Sequence, residues 1–309
     1  MTKGPAKKIE DITKGFAKNN YICSKQISSA VYLANELEKP ILIEGPPGVG
    51  KTELANTAAL YYKKPLLRLQ CYEGLDETKA LYEWRYGKQL LYTQILKEQM
   101  QDVLKGAKGL KESLDRLMKF EDIFFSEDFL ESRPLLQALT SSDGSVLLID
   151  EVDKSDEEFE ALLLEILSEF QVSIPELGVM KAKIKPLVIL TSNNSREIGD
   201  ALKRRCLHLY IPFPDAKLER EIIKARVPEI SKSLQVQLVN FVQGLRELDL
   251  KKLPAISETI DWARTLILLN AEELSEDLAK ETLNVLLKHQ QDIEVVQKEI
   301  PRLVMAANG

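Results

Sequence analysis

The sequence has few cysteines and no long apolar run, and each shortage excludes a class of protein. Three cysteines stand far apart among 309 residues, without the paired spacing of a zinc or redox site. An odd, isolated set is typical of a reducing compartment, so we expect free thiols. No apolar run reaches the roughly 18–20 residues of a membrane helix, and none follows the basic N-terminus as in a secretory signal. We therefore expect a cytoplasmic protein without a membrane span.

Basic residues are in the minority as well. The chain carries 42 Lys and Arg against 48 Asp and Glu, a net charge of −6, whereas nucleic-acid binding favours a basic face. We therefore do not expect nucleic acid as the main partner. Apolar residues make up 44% and charged residues 29% of the chain, which is typical of a folded globular protein.

Five short apolar segments predict the strands of a parallel sheet. They are almost continuously apolar, as strands covered on both faces should be, and helical stretches separate them, as in a doubly wound α/β fold. After Pro212-Phe-Pro214 the pattern is helical only. We therefore predict an α/β domain over residues 1–213 and a helical domain over residues 214–309. The predicted strands are Pro40–Glu44, Leu66–Cys71, Ser145–Asp150, Pro186–Ser192 and Cys206–Pro212.

Two other segments have patterns of their own. Residues from about 75 to 135 form an insertion, with charged helical character around Gln99–Phe120. Ser155-Asp-Glu-Glu158 has the S-x-x-E pattern of a capping box and precedes apolar residues at helical spacing. The second pattern predicts an amphipathic helix that begins after Ser155.

Residues 45–52 read Gly-Pro-Pro-Gly-Val-Gly-Lys-Thr, a complete G-x-x-x-x-G-K-[ST] phosphate-binding loop. The loop follows a predicted strand and precedes a predicted helix over Thr52–Tyr62, the setting in which backbone amides converge on phosphates. Lys51 is predicted to reach the β and γ oxygens, and the Thr52 hydroxyl to complete the Mg²⁺ shell. The predicted nucleotide-binding residues are Gly45, Gly48, Val49, Gly50, Lys51, Thr52 and Glu53.

Two adjacent carboxylates end a predicted buried strand. In parallel sheets ligands bind at the carboxyl ends of the strands, where Asp150 and Glu151 would emerge. We assign Asp150 to hydrated Mg²⁺ and Glu151 to the attacking water as base or polariser. The alternative is a solvated acidic pair at a strand end, and the phosphate loop in the same chain favours the functional interpretation.

Polar residues also lie between the last two predicted strands, some directly after the first of the two and some directly before the second. Asn193, directly after a strand, can hydrogen-bond a γ-phosphate or orient water without adding charge; the alternative is a turn-forming Asn pair. Lys203-Arg204-Arg205 precedes the last strand. Arginine is a permanent bidentate cation for a phosphoryl transition state and can act in trans, although an isolated cluster would be a solvated surface.

In this order the motifs resemble the signature of an AAA+ ATPase, and more closely the MoxR family with its CoxD-like branch. The resemblance covers roughly residues 20–270. It implies a P-loop NTPase core with a parallel five-stranded sheet, a C-terminal helical lid, and ATP with Mg²⁺ as ligands. Walker A, Walker B, sensor 1 and the arginine-finger segment correspond to residues 45–52, Leu147–Glu151, Thr191–Asn193 and Ala201–Arg205.

The resemblance also implies a ring of subunits, usually a hexamer. The nucleotide would lie between subunits, with Arg204 or Arg205 on the neighbour's γ-phosphate, and the family pattern favours Arg205. Residues of about 75–135 would be the helix-2 insert, and residues of about 170–186 the hairpin before sensor 1. The alternation of the latter segment and its turn near Gly178 fit a hairpin independently.

One departure from the family concerns the sensor-2 arginine of the lid. Ile256-Ser-Glu-Thr259 has no arginine at the aligned position. Arg264 follows on the same predicted helix, but five residues beyond Thr259 is about 140° round the axis. Arg264 is a candidate nucleotide contact only if the helix is shifted or rotated; a surface or packing role is the alternative.

Aromatic residues mark two further candidate contacts. Residues 82–89 combine two tyrosines and a tryptophan with Arg85, which suits partner contact in a pore, whereas the alternative is packing on the segment's own domain. Tyr21 and Ile22, before the first strand, correspond to a position that often lines the adenine pocket in AAA+ proteins. Core packing is the equal alternative for them.

The family resemblance implies an ATP-driven chaperone that remodels or activates a partner protein. Maturation of a metalloenzyme by metal or cofactor insertion is the implied task, and a von Willebrand A-domain protein is a further implied partner. Two other functions remain open: a nucleotide-dependent scaffold with little turnover, and a nucleic-acid-associated motor. The intact Glu151 disfavours the first, and the acidic charge disfavours the second.

Overall fold

A computed structural model describes residues 4–92, 94, 127–175 and 177–309. Most of the predicted 75–135 insert, including the expected helical stretch Gln99–Phe120, lies outside the described residues. The strands are β1 Ile41–Glu44, β2 Leu66–Gln70, β3 Tyr82–Trp84, β4 Leu130–Ser132, β5 Val146–Asp150, β6 Gln171–Ile174, β7 Gly178–Lys181, β8 Leu187–Ser192 and β9 Leu207–Tyr210.

Helices separate most of these strands and follow the last one. They are α1 Pro5–Lys18, α2 Lys25–Leu37, α3 Lys51–Tyr62, α4 Glu77–Ala80, α5 Pro134–Thr140, α6 Glu157–Glu169, α7 Asp200–Arg205, α8 Ala216–Arg226, α9 Lys232–Arg246, α10 Ile256–Leu268, α11 Glu276–Leu286 and α12 Gln290–Asn308. Residues 86–92 are also helical, and Glu127–Phe129 and Val152–Lys154 form single 3₁₀ turns.

The main sheet has five strands in the order β2-β5-β8-β1-β9, and every neighbouring pair is parallel. The predicted α/β fold with a parallel five-stranded sheet is therefore confirmed. Every residue of β5 and β8 is buried, which explains why these segments are apolar without alternation. Because β1, β5 and β8 are adjacent, the loops that follow them meet at one edge of the sheet.

Successive side chains of a strand point to opposite faces, so the sheet supplies two cores. Val188 and Leu190 of β8 join a cluster formed with α5 and α6, while Leu187 and Ile189 join one formed with α1, α2 and α3. Burying each such side chain stabilises the fold by roughly 1.5–3 kcal/mol. The two clusters hold helices against both faces and leave the carboxyl edge for the connecting loops.

Two antiparallel strand pairs accompany the main sheet. β6 and β7 pair between residues 171 and 181, within the segment for which alternation predicts a hairpin. β3 pairs with β4, and Trp84 is buried in the adjoining core. At Trp84, therefore, the aromatic segment packs on its own domain. Arg85 and Tyr86 are exposed, so partner contact by these two residues stays a prediction.

The capping box predicted at Ser155 is wrong by one residue. Asp156 is the N-cap of α6, and its carboxylate accepts a hydrogen bond from the Phe159 amide at 2.9 Å. Ser155 instead donates to the Val152 carbonyl at 2.7 Å. Glu151, which precedes Val152, has a positive φ of 56° and leads into a 3₁₀ turn over Val152–Lys154. Because the Ser155 hydroxyl is hydrogen-bonded to this turn, Asp156 caps the helix instead, and the helix begins one residue later.

Residues 214–309 contain only helices and connecting turns, and α8–α12 pack around a separate apolar cluster centred on Trp262 and Phe241. The rings of these two residues lie 5.1 Å apart. The domain boundary near residue 213 stays a prediction. The separate apolar core of residues 214–309 supports it. No helix within the described residues is both long and apolar enough to cross a bilayer.

One ion pair lies inside the helical region. Glu219 of α8 is fully buried, and its two oxygens accept hydrogen bonds from Arg246 at 2.7 and 2.8 Å. Thr259 of α10 and Gln243 donate to the same carboxylate. Arg246 also donates to the Pro254 carbonyl, just before α10. The pair therefore joins three helices and fixes the start of α10.

Removal of the buried cation tests how strongly this network stabilises the protein. In Arg246→Met the Glu219 carboxylate keeps only the neutral donors Thr259 and Gln243. We expect the free energy of unfolding to fall by about 3–5 kcal/mol, because an uncompensated buried charge remains. Urea denaturation followed by circular dichroism measures the change.

The matched control is Arg302→Met, which breaks an arginine–glutamate pair with Glu299 on the exposed side of α12. Surface pairs contribute about 0–1 kcal/mol, so this variant should unfold nearly as the unmodified protein does. An equally small effect of both substitutions would contradict the stabilising role of the buried pair.

Candidate functional site

The loop between β1 and α3 has the conformation of a phosphate cradle. Gly45, Gly48 and Gly50 have φ values of 148°, 78° and 97°, which side chains rarely adopt. A Cβ at Gly45 would lie 2.2 Å from the Ile211 carbonyl oxygen. Glycine is therefore required for conformation throughout the loop, and at Gly45 also for space.

Lys51, the first residue of α3, turns back over this loop and is buried. Its ammonium donates to the carbonyls of Gly45 and Pro46 at 2.5 and 2.8 Å and to Asn193 Oδ1 at 2.7 Å. Burial lowers the pKa of Lys51 to about 8, although nearby carboxylates oppose the shift. Phosphate oxygens placed beside the ammonium would favour its charged form.

Asp150, at the end of β5, is the best-connected carboxylate of the site. It is 4% exposed and accepts hydrogen bonds from the hydroxyls of Thr191 at 2.6 Å and Thr52 at 3.1 Å. Arg68 of β2 donates to the other oxygen, Oδ2, at 2.6 Å. Three strands and the phosphate loop therefore converge on one charged group.

Glu151 extends from the same strand end in a left-handed conformation. Both of its carboxylate oxygens accept side-chain amide hydrogen bonds, from Asn193 at 3.0 Å and from Gln70 of β2 at 3.1 Å. Its backbone amide donates to the Thr191 hydroxyl at 2.9 Å. The carboxylate is thus oriented toward the cleft, but both oxygens are engaged.

Asp153, just beyond Glu151, holds the loop that carries Asn193. It accepts hydrogen bonds from the backbone amides of Asn193 and Ser195 and from the Ser195 hydroxyl. Burial would raise its pKa, but these hydrogen bonds outweigh burial, and the pKa of Asp153 is lowered. Asp153 is therefore a charged anchor that positions the Asn193 amide.

The oxygen donors of this cleft fit Mg²⁺ bound together with a nucleotide. Mg²⁺ commonly uses one or two protein oxygens and takes its other ligands from phosphates and water. Thr52 and Asp150 provide a hydroxyl and a carboxylate 3.1 Å apart at the phosphate loop. In the part of the chain that the structure describes, no group of three or more His, Cys, Asp or Glu could hold a metal unaided.

The sequence comparison agrees with this geometry. Residues 40–206, more than half of the chain, match the model of the AAA domain, dynein-related subfamily. The chain belongs to the AAA domain family. Its fold is that of a P-loop NTPase, which implies nucleotide binding, and AAA proteins are typically oligomeric.

Relatives that match most of this AAA protein occur in staphylococci. Uncharacterized protein SH1500 of Staphylococcus haemolyticus is 25% identical over 258 residues, which cover 81% of this chain and 84% of that protein. An uncharacterized protein of Staphylococcus aureus is 23% identical over 239 residues, covering 75% of this chain and 77% of the relative.

Solved structures with a similar fold include the RuvB Holliday junction branch migration motor of Thermotoga maritima. It is 18% identical, with a TM-score of 0.47, and the match covers 84% of this chain and 67% of that one. A variant of the same RuvB has a TM-score of 0.49 at 18% identity, with 84% and 68% covered.

An apolar cavity of about 190 Å³ adjoins the phosphate loop of this AAA domain. Tyr21 and Ile22 line it, as the AAA+ resemblance predicts for an adenine pocket, and the Tyr21 hydroxyl donates to the Gly50 carbonyl at 3.3 Å. Burial raises the pKa of Tyr21, so it remains a neutral hydrogen-bond donor. Val49, Ile211 and Ile260 provide further apolar lining, which suits a planar base.

The helical region closes one side of this cavity. The Ser257 amide, in the first turn of α10, donates to the Gly48 carbonyl at 3.3 Å. Arg226, at the end of α8, donates to Glu53 of α3 at 2.8 Å. Glu53, predicted at the nucleotide site, therefore lines the cavity while pairing with the helical region. The helical region and the phosphate loop are in direct contact.

Three predicted arginines lie away from the cleft. Arg205 donates to the Ser168 hydroxyl at 2.8 Å and to the Ala201 carbonyl, and neighbouring Arg204 is exposed. Within this subunit neither lines the phosphate cleft. Arg264 is exposed, 3.9 Å from Asp261, and lines neither the cleft nor the apolar cavity. The structure thus does not bring Arg264 to the nucleotide site, because α10 meets the phosphate loop through its first turn.

Sequence reasoning missed three residues that the fold brings to the site. Arg68 and Gln70 are two residues apart in β2, so their side chains share one face and both reach the Walker B carboxylates. Two polar residues at the carboxyl end of an apolar strand are a signal that could have been used. Arg226 has no such signal, because only the packing of α8 brings it to Glu53.

Gly48→Ala tests whether nucleotide binding requires the close contact between the phosphate loop and the start of α10. A Cβ at Gly48 would lie 2.5 Å from the Ser257 hydroxyl and 2.8 Å from the Ala255 Cβ. We expect affinity for a fluorescent ATP analogue to fall by about tenfold or more, because the added methyl group forces the start of α10 away from the phosphate loop. Fluorescence anisotropy provides the dissociation constant.

Gly178→Ala is the matched control, because Gly178 has the same φ of 78° but no atom of the described residues within 4 Å of the added Cβ. It imposes similar backbone strain without the collision. Equal nucleotide affinity in the two variants would contradict a steric role for the contact of Gly48 with α10.

Proposed function

We propose that this chain is an ATP-hydrolysing AAA+ chaperone that remodels or activates a partner protein. The proposal rests on one observation: five polar side chains converge at one cleft beside an apolar cavity. They are Lys51, Thr52, Asp150, Glu151 and Asn193. This set contains the groups that phosphoryl transfer to water needs: a phosphate cradle, a metal-binding pair, a base and a neutral orienting amide.

The arrangement supports a division of roles among these residues. The apolar cavity would take the adenine, while the loop amides and Lys51 bind the phosphates. Thr52 and Asp150 would hold Mg²⁺, which when bound neutralises phosphate charge and orients the oxygens. Glu151 would accept the proton of the attacking water, and Asn193 would orient that water or the γ-phosphate.

Gln70 and Asn193 compete with the attacking water for Glu151. Each donates a hydrogen bond to one of the two carboxylate oxygens, which leaves one acceptor site on each oxygen for water. We infer that release of one of these amides during turnover gives the attacking water freer access to Glu151. This same engagement makes a scaffold with little turnover the second candidate function.

The position of α7 supports a shared site in a ring. Arg204 and Arg205 belong to a basic helix end outside the subunit's own cleft, as expected for a group that acts in trans. A head-to-tail interface that closes on itself would bring that helix to the neighbour's γ-phosphate. We propose a ring, with a hexamer as the family resemblance implies, and Arg205 as the finger.

Mixing two inactive variants tests the shared site. Arg205→Ala should lower steady-state ATPase activity at least about a hundredfold, because the transition-state charge loses a cation. Glu151→Gln should be equally inactive for lack of the base. Mixed in equal amounts they should recover activity, since some sites then combine Glu151 from one subunit with Arg205 from the other.

Arg264→Ala is the control, since this exposed arginine lies outside the cleft, and it should retain most activity. A mixture that stays inactive would contradict a site shared between subunits. So would wild-type specific activity that is independent of protein concentration together with an Arg205→Ala variant that stays active.

The contacts of the lid support mechanical coupling. α10 and Arg226 touch the phosphate loop and α3, so a bound nucleotide would change the free energy of lid orientations. We propose, from the MoxR and CoxD-like resemblance, that the client is a metalloenzyme undergoing metal or cofactor insertion, with a von Willebrand A-domain partner. The three free cysteines support a cytoplasmic location.

Trapping in the ATP state tests the chaperone function. Glu151→Gln should bind ATP without turnover and retain its partner, so a metalloenzyme or a von Willebrand A-domain protein should be captured from cell extract with ATP. Lys51→Ala, which lacks the phosphate-binding cation, should capture neither. Identical captured proteins for both variants, identified by mass spectrometry, would contradict nucleotide-dependent client binding.

A further inference from the structure

Arg68 occupies a position next to the proposed metal-binding carboxylate. It lies on β2, an outer strand of the main sheet, and its guanidinium is 2.6 Å from Asp150 Oδ2. The Asp150 side chain is 5% exposed, whereas that of Arg68 is 53% exposed. The buried Asp150 carboxylate is therefore paired with the guanidinium of a side chain that lies half in solvent.

The oxygen bound by Arg68 also faces the phosphate loop. Thr52 Oγ1 is 3.3 Å from this same Oδ2, while Thr191 engages Oδ1 at 2.6 Å. A divalent cation held between Thr52 and Asp150 would thus lie beside the guanidinium. Two cations at one carboxylate oxygen repel each other, and the low dielectric of the cleft strengthens that repulsion.

Arg68 has a second acceptor and space to move. The same guanidinium nitrogen donates to Gln70 Oε1 at 2.7 Å, and half of the side chain is already in solvent. A long, flexible arginine in this environment can leave Asp150 without becoming buried and unpaired. Its pairing with Asp150 is therefore a separable contact, unlike the buried pair of Arg246 with Glu219.

We propose that Arg68 is an internal counter-cation of Asp150, which competes with Mg²⁺ for this carboxylate and so sets the Mg²⁺ concentration that nucleotide binding requires. The inference rests on the proposed Mg²⁺-nucleotide site. Arg68 is a positioning residue in this scheme: it holds the Asp150 carboxylate in place until the metal arrives, and then yields to it.

Two other roles for Arg68 predict different results. An arginine that binds the nucleotide phosphates directly would strengthen affinity at saturating Mg²⁺, so its removal would weaken binding there. An arginine that only joins β2 to β5 would leave the Mg²⁺ dependence unchanged. Competition alone predicts that removal makes lower Mg²⁺ sufficient.

The test is the affinity of a fluorescent, non-hydrolysable ATP analogue measured by anisotropy across free Mg²⁺ concentrations. For Arg68→Met we expect the Mg²⁺ midpoint to fall by about fivefold or more, a typical size for coupling between two sites, with little change in affinity at saturating Mg²⁺. Arg68→Lys retains a cation and should remain near the wild-type midpoint.

Arg133→Met is the matched control, since Arg133 pairs with Glu83 at 2.7 Å outside the cleft, and its midpoint should match wild type. Thermal unfolding in EDTA verifies that each variant is folded, and Arg68→Gln replaces Arg68→Met if the latter is not. An unchanged or raised midpoint, or affinity lost at saturating Mg²⁺, overturns the role of Arg68. A wild-type protein that binds no analogue at any Mg²⁺ concentration refutes the proposed function instead.

Discussion

Parallel pairing of β5, β8 and β1 is the constraint on which the rest of the site depends. Ile149 pairs with Leu190, and Leu190 with Leu42, so the three strands end at nearly the same level. The segments that follow them carry Asp150 and Glu151, Asn193 and the phosphate loop. A slip in register would separate these groups by at least the 3.3 Å that one residue spans along a strand.

Around this edge, the polar side chains form a continuous set of hydrogen bonds. Lys51 contacts Asn193, which contacts Glu151; Gln70 and Arg68 continue the connection to Asp150. Each partner lowers the cost of burying a charge that would otherwise be unsatisfied. The charged groups of the site are therefore stabilised by pairing with each other.

The fold was largely readable from local patterns. All five core strands overlap the apolar segments that predict them, because strands buried on both faces consist almost entirely of consecutive apolar residues. Glycine spacing located the phosphate loop, because positive φ values restrict the residues allowed there. The start of α6 at Asp156, one residue beyond the predicted cap, shows the limit: a tight turn from Glu151 to Ser155 decides which polar side chain is free to cap.

Local sequence patterns encode the strand–loop–helix phosphate cradle, the carboxylates at a strand end and the helical C-terminal region, since each of these needs only neighbouring residues. The pairing of Arg68 with Asp150, the pairing of Arg226 with Glu53 and the position of Arg264 outside the cleft arise from the three-dimensional packing of the chain. The two pairs join residues 82 and 173 positions apart, and the place of Arg264 depends on which turn of α10 meets the loop. Strand order and helix packing set such distances, and no local pattern records them.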